Sequence, residues 1–421
     1  MEIIMGRKSL IYLNMFYPYN SQGETFLASE IEYCKFENID KFIFPIWARG
    51  KIKAELPGYK VINIQTKYNK MKKLLNVLFT FFSPLLYQEI KVLRKSHRIS
   101  FHNLKTLISF LTDGIYLSKI LAKYIKGNIK ANSEIVFYSY WLHLDAFIAA
   151  FVGRLLKNKY TIKTISRCHR FDLYEYAAAG GYIPARKYIL NGLNYVYPIS
   201  NDAKQYLIEN YNLSFEKSIV SRLGTFDNGV NISPKRNVLK IISCSWMRKV
   251  KRLDLICKAL ELVDFDIEWT HIGSGEEESR IYRLISSINN PHVTFKLVGS
   301  LSNEEVISTY KDNDYNVFIN VSASEGVPVS IMEAMSFGKI IIATDTGGTK
   351  EIVKNYENGY LLEVNFKIDS LVGVLKEIYE MDEIIYKKMC KNSRVIWEEM
   401  CNAEKNYIIF SKMLWNLFDN C

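Results

Sequence analysis

The chain has 421 residues, more than one hydrophobic core ordinarily serves, so two domains of roughly 200 residues are expected. A composition of 48% hydrophobic and 24% charged residues is that of a folded globular protein and excludes a disordered or fibrous chain. The net charge of +11 is uneven: residues 1–230 carry 32 basic against 17 acidic side chains, and residues 231–421 carry 23 against 27.

A basic first half points to an anionic partner. No nucleic-acid module is visible, so lipid or pyrophosphate is expected and nucleic acid is not. Seven cysteines, an odd number without a CxxC or a His/Cys cluster, argue for reduced thiols in the cytoplasm rather than a disulfide frame or a zinc site. The first residues lack an apolar stretch followed by a small-residue cleavage site and are expected to form a core strand rather than a signal peptide. No apolar run reaches the ~18 residues of a membrane-spanning helix.

In chain order, residues 9–16 (SLIYLNMF) predict the first strand. A turn-rich loop, 17–24, and a helix over 25–35 follow. Residues 40–46 and 59–64 are the next strands. The stretch 67–93 (KYNKMKKLLNVLFTFFSPLLYQEIKVL) is unusual, because Lys67, Lys70, Lys72 and Lys73 precede a nearly apolar span from Leu74 to Tyr87. Two readings stand: a core helix pair broken at Pro84, or a patch whose aromatics enter a membrane interface while lysines meet anionic headgroups. A helix over 104–125 returns the chain to a strand at 134–140, followed by Trp141, His143 and a helix to Leu156. The strand 161–166 delivers SRCHRFDLYEY, with His169 and Asp172. Residues 194–199 predict a strand, Ser200 a cap, and 202–211 a helix. The polar stretch 226–236, with Gly229 and Pro234, predicts a linker.

The second half restarts with a strand at 239–245 and the basic run Arg248, Lys249, Lys251 and Arg252. Cations at a helix start oppose its dipole, so an anion is expected there. The strand 267–272 leads into Gly273-Ser274-Gly275, a GxG that lacks the rest of a dinucleotide fingerprint. A strand at 293–297 and a helix at 302–311 follow. The segment 316–353 (NVFINVSASEGVPVSIMEAMSFGKIIIATDTGGTKEIV) then predicts strand, tight loop, helix, strand, loop and helix. Pro328 is tolerated in the first helical turn, and Gly338 suits a position just past a helix end. Glu325 precedes the helix N-terminus, where free amides favour an anion. Glu333 lies among apolar neighbours and needs a partner, either a cation or hydroxyl groups. Helices at 370–379, 384–400 and 402–418 complete an alternation of strand and helix, which is the pattern of doubly wound α/β sheets.

The 316–353 string resembles the E-x7-E signature of the retaining glycosyltransferases of family 4, the group 1 transferases, with Glu325 and Glu333 at the two glutamate positions. The resemblance implies a GT-B fold: two Rossmann-like doubly wound domains facing across a cleft. Its domains would be residues 1–225, with a basic and aromatic helical insertion at about 67–130, and residues 237–400. A terminal helix, 401–421, would return to the first domain. It further implies a surface or capsular polysaccharide enzyme that moves a hexose from a nucleotide-diphosphate sugar to a lipid-linked oligosaccharide, peripheral on the inner face of the plasma membrane.

By the same resemblance, Glu325 orients the hexose and Glu333 holds ribose hydroxyls. Lys251, with Arg248, neutralises the departing diphosphate. Gly326, Val327, Pro328 and Val329 present amides and a helix dipole to the same oxygens. Gly23 and Gly273 bring backbone near the donor, Leu297 and Gly299 lie by the base, and His169 stands beside the sugar. Arg170 replaces the more usual glycine after that histidine, and Trp246 occupies the commonest arginine position after the strand. Asp264-Phe265-Asp266 and Asp312-Asn313-Asp314 have the form of metal-binding triplets but fall away from the expected site, so no cofactor and no essential metal are expected. A sugar-nucleotide epimerase of the same fold, or a non-catalytic carbohydrate- or lipid-binding scaffold, is the alternative.

Overall fold

Among the described residues, twelve short runs rich in Ile, Val, Phe and Tyr become strands, and every ladder between them is parallel. A parallel sheet must be covered on both faces, which is why these runs are apolar along their length rather than alternating. The computed structural model describes residues 7–19, 24–63 and 70–419. The chain divides into two units, Met1–Ser221 with Tyr407–Cys421, and Arg222–Asn406.

In the first unit the elements are β1 (Lys8–Asn14), α1 (Thr25–Tyr33), β2 (Ile39–Pro45), β3 (Tyr59–Val61), α2 (Lys70–Phe81), α3 (Pro84–Lys95), α4 (Phe101–Asn128), β4 (Glu134–Ser139), α5 (Leu144–Leu156), β5 (Thr161–Cys168), α6 (Arg186–Gly192), β6 (Tyr195–Pro198) and α7 (Asn201–Tyr211). The sheet order is β3-β2-β1-β4-β5-β6. Strand order reverses between β1 and β4, so the loops at their carboxyl ends form the crevice where such sheets take ligands. Two cores cover the sheet, one built with α4 and α5 and one with α1 and residues 410–418.

The second unit holds β7 (Leu239–Cys244), α8 (Leu253–Glu261), β8 (Ile267–Ile272), α9 (Glu278–Ser286), β9 (Val293–Gly299), α10 (Asn303–Asp312), β10 (Val317–Asn320), α11 (Val329–Ser336), β11 (Ile340–Thr344), α12 (Thr349–Ile352), β12 (Gly359–Leu362), α13 (Ile368–Glu380), α14 (Glu383–Met400) and the start of α15 (Ala403–Asp419). Its order, β12-β11-β10-β7-β8-β9, reverses between β7 and β10.

The stretch 226–236 is fastened within the second unit rather than running free. Asn231 Nδ2 donates to the Tyr310 carbonyl at 2.7 Å, Ser233 Oγ to that of Tyr315 at 2.8 Å, and Asp227 pairs with Arg394 at 2.6 Å. Of the two readings for residues 74–87, the core helix pair fails for α2, whose Leu74, Leu75, Leu78 and Phe79 are exposed. It holds for α3, which buries Leu86 and Leu93. No helix among the described residues is long and apolar enough to cross a membrane.

Candidate active site

The reversal between β7 and β10 brings together the loop after each strand, and these loops carry Lys251 and Glu325. Lys251 Nζ lies 2.5 Å from Glu325 Oε1, and Asn320 Nδ2 donates to the same oxygen at 3.4 Å. The Ala323 amide donates to the Val250 carbonyl at 2.8 Å and stitches the two loops together. Glu325 is buried, so the lysine offsets a charge that burial would otherwise disfavour. Beyond Glu325 the chain enters α11 through Pro328, with Gly326, Val327 and Pro328 buried and Val329 half-buried. Among the described residues the amides of Gly326, Val327, Val329 and Ser330 donate to no protein acceptor. Unengaged amides at a helix start are the kind of donors that receive an anion.

Glu333, inside α11, accepts a hydrogen bond from Asn303 Nδ2 at 2.8 Å. An edge of its side chain reaches solvent, yet burial of the carboxyl raises its pKa to about 7, only partly offset by Asn303. Cys244, at the carboxyl end of β7, links the two acids' surroundings. Burial raises its thiol to about 12, Glu333 adds to the rise and Lys251 opposes it, so both groups act on this strand end.

The basic run divides. Arg248 is exposed, and Lys251 lies in a short 3-10 turn rather than heading a helix, because α8 begins only at Leu253. Arg252 takes a left-handed backbone, φ 51°, and donates to the carbonyls of Val321 at 2.7 Å and Ser322 at 3.3 Å. It holds the Glu325 loop in place, so the anion expected from four neighbouring cations rests on three.

Two glycines allow backbone to meet backbone. At Gly347 (φ +56°) a Cβ would lie 2.1 Å from the Glu325 carbonyl oxygen, and at Gly273 (φ +133°) one would lie 1.9 Å from that of Ser245. Gly273 also donates to the Gly299 carbonyl at 2.8 Å, which ties the end of β8 to the end of β9. Leu297, on β9, is half-buried against the core of its unit. The aspartate triplets precede β8 and β10, at the strand ends opposite to these loops. Asp264 pairs with Lys376 and Asp266 with His292, each at 2.8 Å, and Asp314 with Arg236 at 2.7 Å.

In the first unit the crevice between β1 and β4 is organised by Glu24, a residue without a sequence signal of its own. Its carboxylate accepts the amides of Met15, Phe16 and Tyr17 at 2.7–2.8 Å and Trp141 Nε1 at 2.8 Å. The neighbouring Gly23 lies outside the described residues. His169, at the end of β5, packs against Trp141 with ring centres 4.4 Å apart and planes tilted by 57°. Its amide donates to Asp172 Oδ1 at 2.7 Å, while Asp172 Oδ2 accepts from Leu142 N at 2.7 Å. Burial alone would raise Asp172, but the hydrogen bonds and charge of His169 and the two amides prevail and hold its pKa below the usual value. His169 Nδ1 lies 3.7 Å from Asp172 Oδ2, and both buried ring nitrogens fall short of a full hydrogen bond. The side chain is therefore held between the Tyr140 and Trp141 rings with Nδ1 toward Asp172. His143 faces Phe110 instead, and burial lowers its pKa to about 4.

Two parallel doubly wound sheets, each with its reactive loops at a strand-order reversal, define the GT-B class. More particularly, residues 230–395 match the family described as Glycosyl transferases group 1. An uncharacterized glycosyltransferase of Methanocaldococcus jannaschii is 27% identical over 323 residues, 74% of this chain and 82% of that one. One of Haemophilus influenzae is 26% identical over 196 residues, and the match spans 44% of this chain and about half, 53%, of that relative. Among solved structures, the Anabaena protein HepE in complex with UDP superposes with a TM-score of 0.67 at 12% identity, covering 97% of this chain and 100% of that one. The group 1 likeness thus lies in residues 230–395, and the HepE likeness is one of fold.

Proposed function

We propose that the protein is a family 4 retaining hexosyltransferase. It takes a nucleotide-diphosphate sugar as donor and a lipid-linked oligosaccharide as acceptor, and builds a surface polysaccharide at the inner face of the plasma membrane. The observation that carries this reading is the Lys251–Glu325 pair set beside unengaged amides at the β7–β10 reversal. The donor diphosphate takes the place facing Lys251, Arg248 and the amides of Gly326 and Val327. Donors fixed in this way act on charge that grows as the phosphate leaves, each contributing about 2–4 kcal/mol. Glu333 accepts the ribose hydroxyls and Glu325 orients the hexose. Retention without a protein nucleophile implies front-face attack, in which the leaving phosphate takes the acceptor proton. His169 serves the first unit's substrate.

A thermal-shift panel of UDP-, GDP- and ADP-sugars tests the donor, since a ligand that binds only the folded state raises the melting point by mass action. UDP-sugars come first because HepE is a UDP-bound neighbour. No shift with any of them sinks the reading, and a new nucleotide sugar formed without acceptor assigns the site to an epimerase. With cations and amides opposing the diphosphate, transfer is expected to persist in excess EDTA. Loss of turnover that magnesium restores would show that a metal is needed.

A further inference from the structure

An ordinary surface helix turns its apolar stripe inward. α2 does the reverse. Met71, Leu74, Leu75, Leu78 and Phe82 recur at the three- and four-residue spacing of one helix face, and that face is outward: Met71 is 73% exposed and Phe82, just past the helix end, 82%. The polar residues point in. Lys73 Nζ pairs with Asp113 of α4 at 2.7 Å, Thr80 Oγ1 lies 3.1 Å from Thr112 Oγ1, and Lys119 Nζ donates to Asn76 Oδ1 at 3.1 Å. These contacts fix the rotation of the helix, so the outward stripe is held there by a buried polar seam. The apolar surface continues into a groove of about 510 Å³ between α2 and α4, lined by Val77, Leu104 and Ile108. At its edge stands Phe101, 85% exposed.

We propose that α2 is an in-plane membrane element whose outward stripe enters an anionic bilayer. This rests on the reading of a membrane-held acceptor and names the element that reaches it. The charge around the stripe selects lipid over a protein partner. Residues 51–100 hold 11 basic and 2 acidic side chains, and Lys91, Arg94, Lys95 and Lys105 are exposed on the adjoining α3 and α4. Lys73 and Lys105 line the groove itself, and an apolar face with cations beside it matches the boundary between acyl chains and anionic headgroups. At 12 residues α2 is about 18 Å long, too short to span and suited to lying in the interface.

Flotation of the full chain with phosphatidylglycerol-containing vesicles, compared with phosphatidylcholine alone, tests this. Binding to the anionic vesicles is expected. Leu78→Glu with Phe82→Glu should lower the partition coefficient at least tenfold while leaving the melting point and the nucleotide-sugar shift unchanged. A second readout needs no disruptive change: in Phe82→Trp, the added emission should be quenched by brominated lipid. Wild-type failure to float, equal flotation of the double variant, or an unquenched tryptophan overturns the inference. So does a dimer that the double variant dissolves without any vesicle binding, which would give the face to a second copy. If flotation fails while a water-soluble acceptor is still glycosylated, only this inference falls. If flotation holds and no sugar is transferred, the functional reading falls instead.

Discussion

Lys251 and Glu325 form an ion pair at 2.5 Å, so the proposed donor diphosphate would compete with a carboxylate for the lysine. On that proposal, replacing Lys251 by alanine removes a cation from the phosphate site and leaves Glu325 buried without its ion-pair partner. A fall of about 10²–10³ in kcat/KM is expected, with weaker UDP binding by calorimetry. Lys251→Arg should recover only part of it, because a planar guanidinium cannot take the ammonium's place at both groups. Glu333 sets a pH dependence of definite sign. Its pKa is about 7 in the fold against an ordinary 4.5, so the fold binds this proton more tightly than the unfolded chain does. That contribution is full below the ordinary value and is lost as pH rises through 7. Glu333→Gln should therefore gain stability relative to wild type above pH 7 and change little at pH 4. Donor affinity should run the other way. An ionised carboxylate accepts from two ribose hydroxyls, so wild-type binding strengthens from pH 6 to pH 8 and the glutamine variant's stays flat. Parallel titrations at the two pH values check this.

The loops between elements are where backbone geometry decides the site. At Gly347 a Cβ would overlap the Glu325 carbonyl oxygen, and the φ of +56° is itself unfavourable for other residues. Gly347→Ala should push the Glu325 loop away from Lys251 and cost the donor-induced thermal shift, even though no side chain of the site is changed. Much at this scale was legible in the chain. Eleven of the twelve described strands follow from apolar runs, whereas β12, GYLL without a β-branched residue, does not; Glu325 with Glu333 follows from one ungapped string. Other features depend on partners distant in sequence. Glu24 gains its role from amides eight and nine residues before it and from Trp141, more than a hundred residues on. Arg252 counted only as one of four neighbouring cations, and only the fold turns it toward the Val321 carbonyl. The inverted face of α2 was likewise ambiguous until Asp113, Thr112 and Lys119 were placed beneath it.

At the scale of the molecule, α15, distant in sequence, completes the first unit's core. Phe410, Leu414, Leu417 and Phe418 of α15 are buried in the cluster that also holds Leu10, Tyr12 and Ile43 of the first two strands. Phe410 covers a charge as well as an apolar surface. The Arg167 guanidinium lies 4.1 Å from the centre of its ring, and Arg167 itself is fully buried, with Nε donating to Glu30 at 2.7 Å and to the Tyr138 hydroxyl at 3.0 Å. Deleting the ring opens a cavity beside this ion pair, so Phe410→Ala should destabilise by about 3–5 kcal/mol. Phe410→Leu should cost less because it keeps the pair covered. A chain ending at residue 402 loses all four side chains at once, and residues 1–221 then expose the sheet face they covered. That truncated chain is expected to lose its cooperative melting transition and to be cut by protease between residues 1 and 221. A shortened chain that melts sharply, with its first unit protease-resistant, would show that the sheet closes its core without α15.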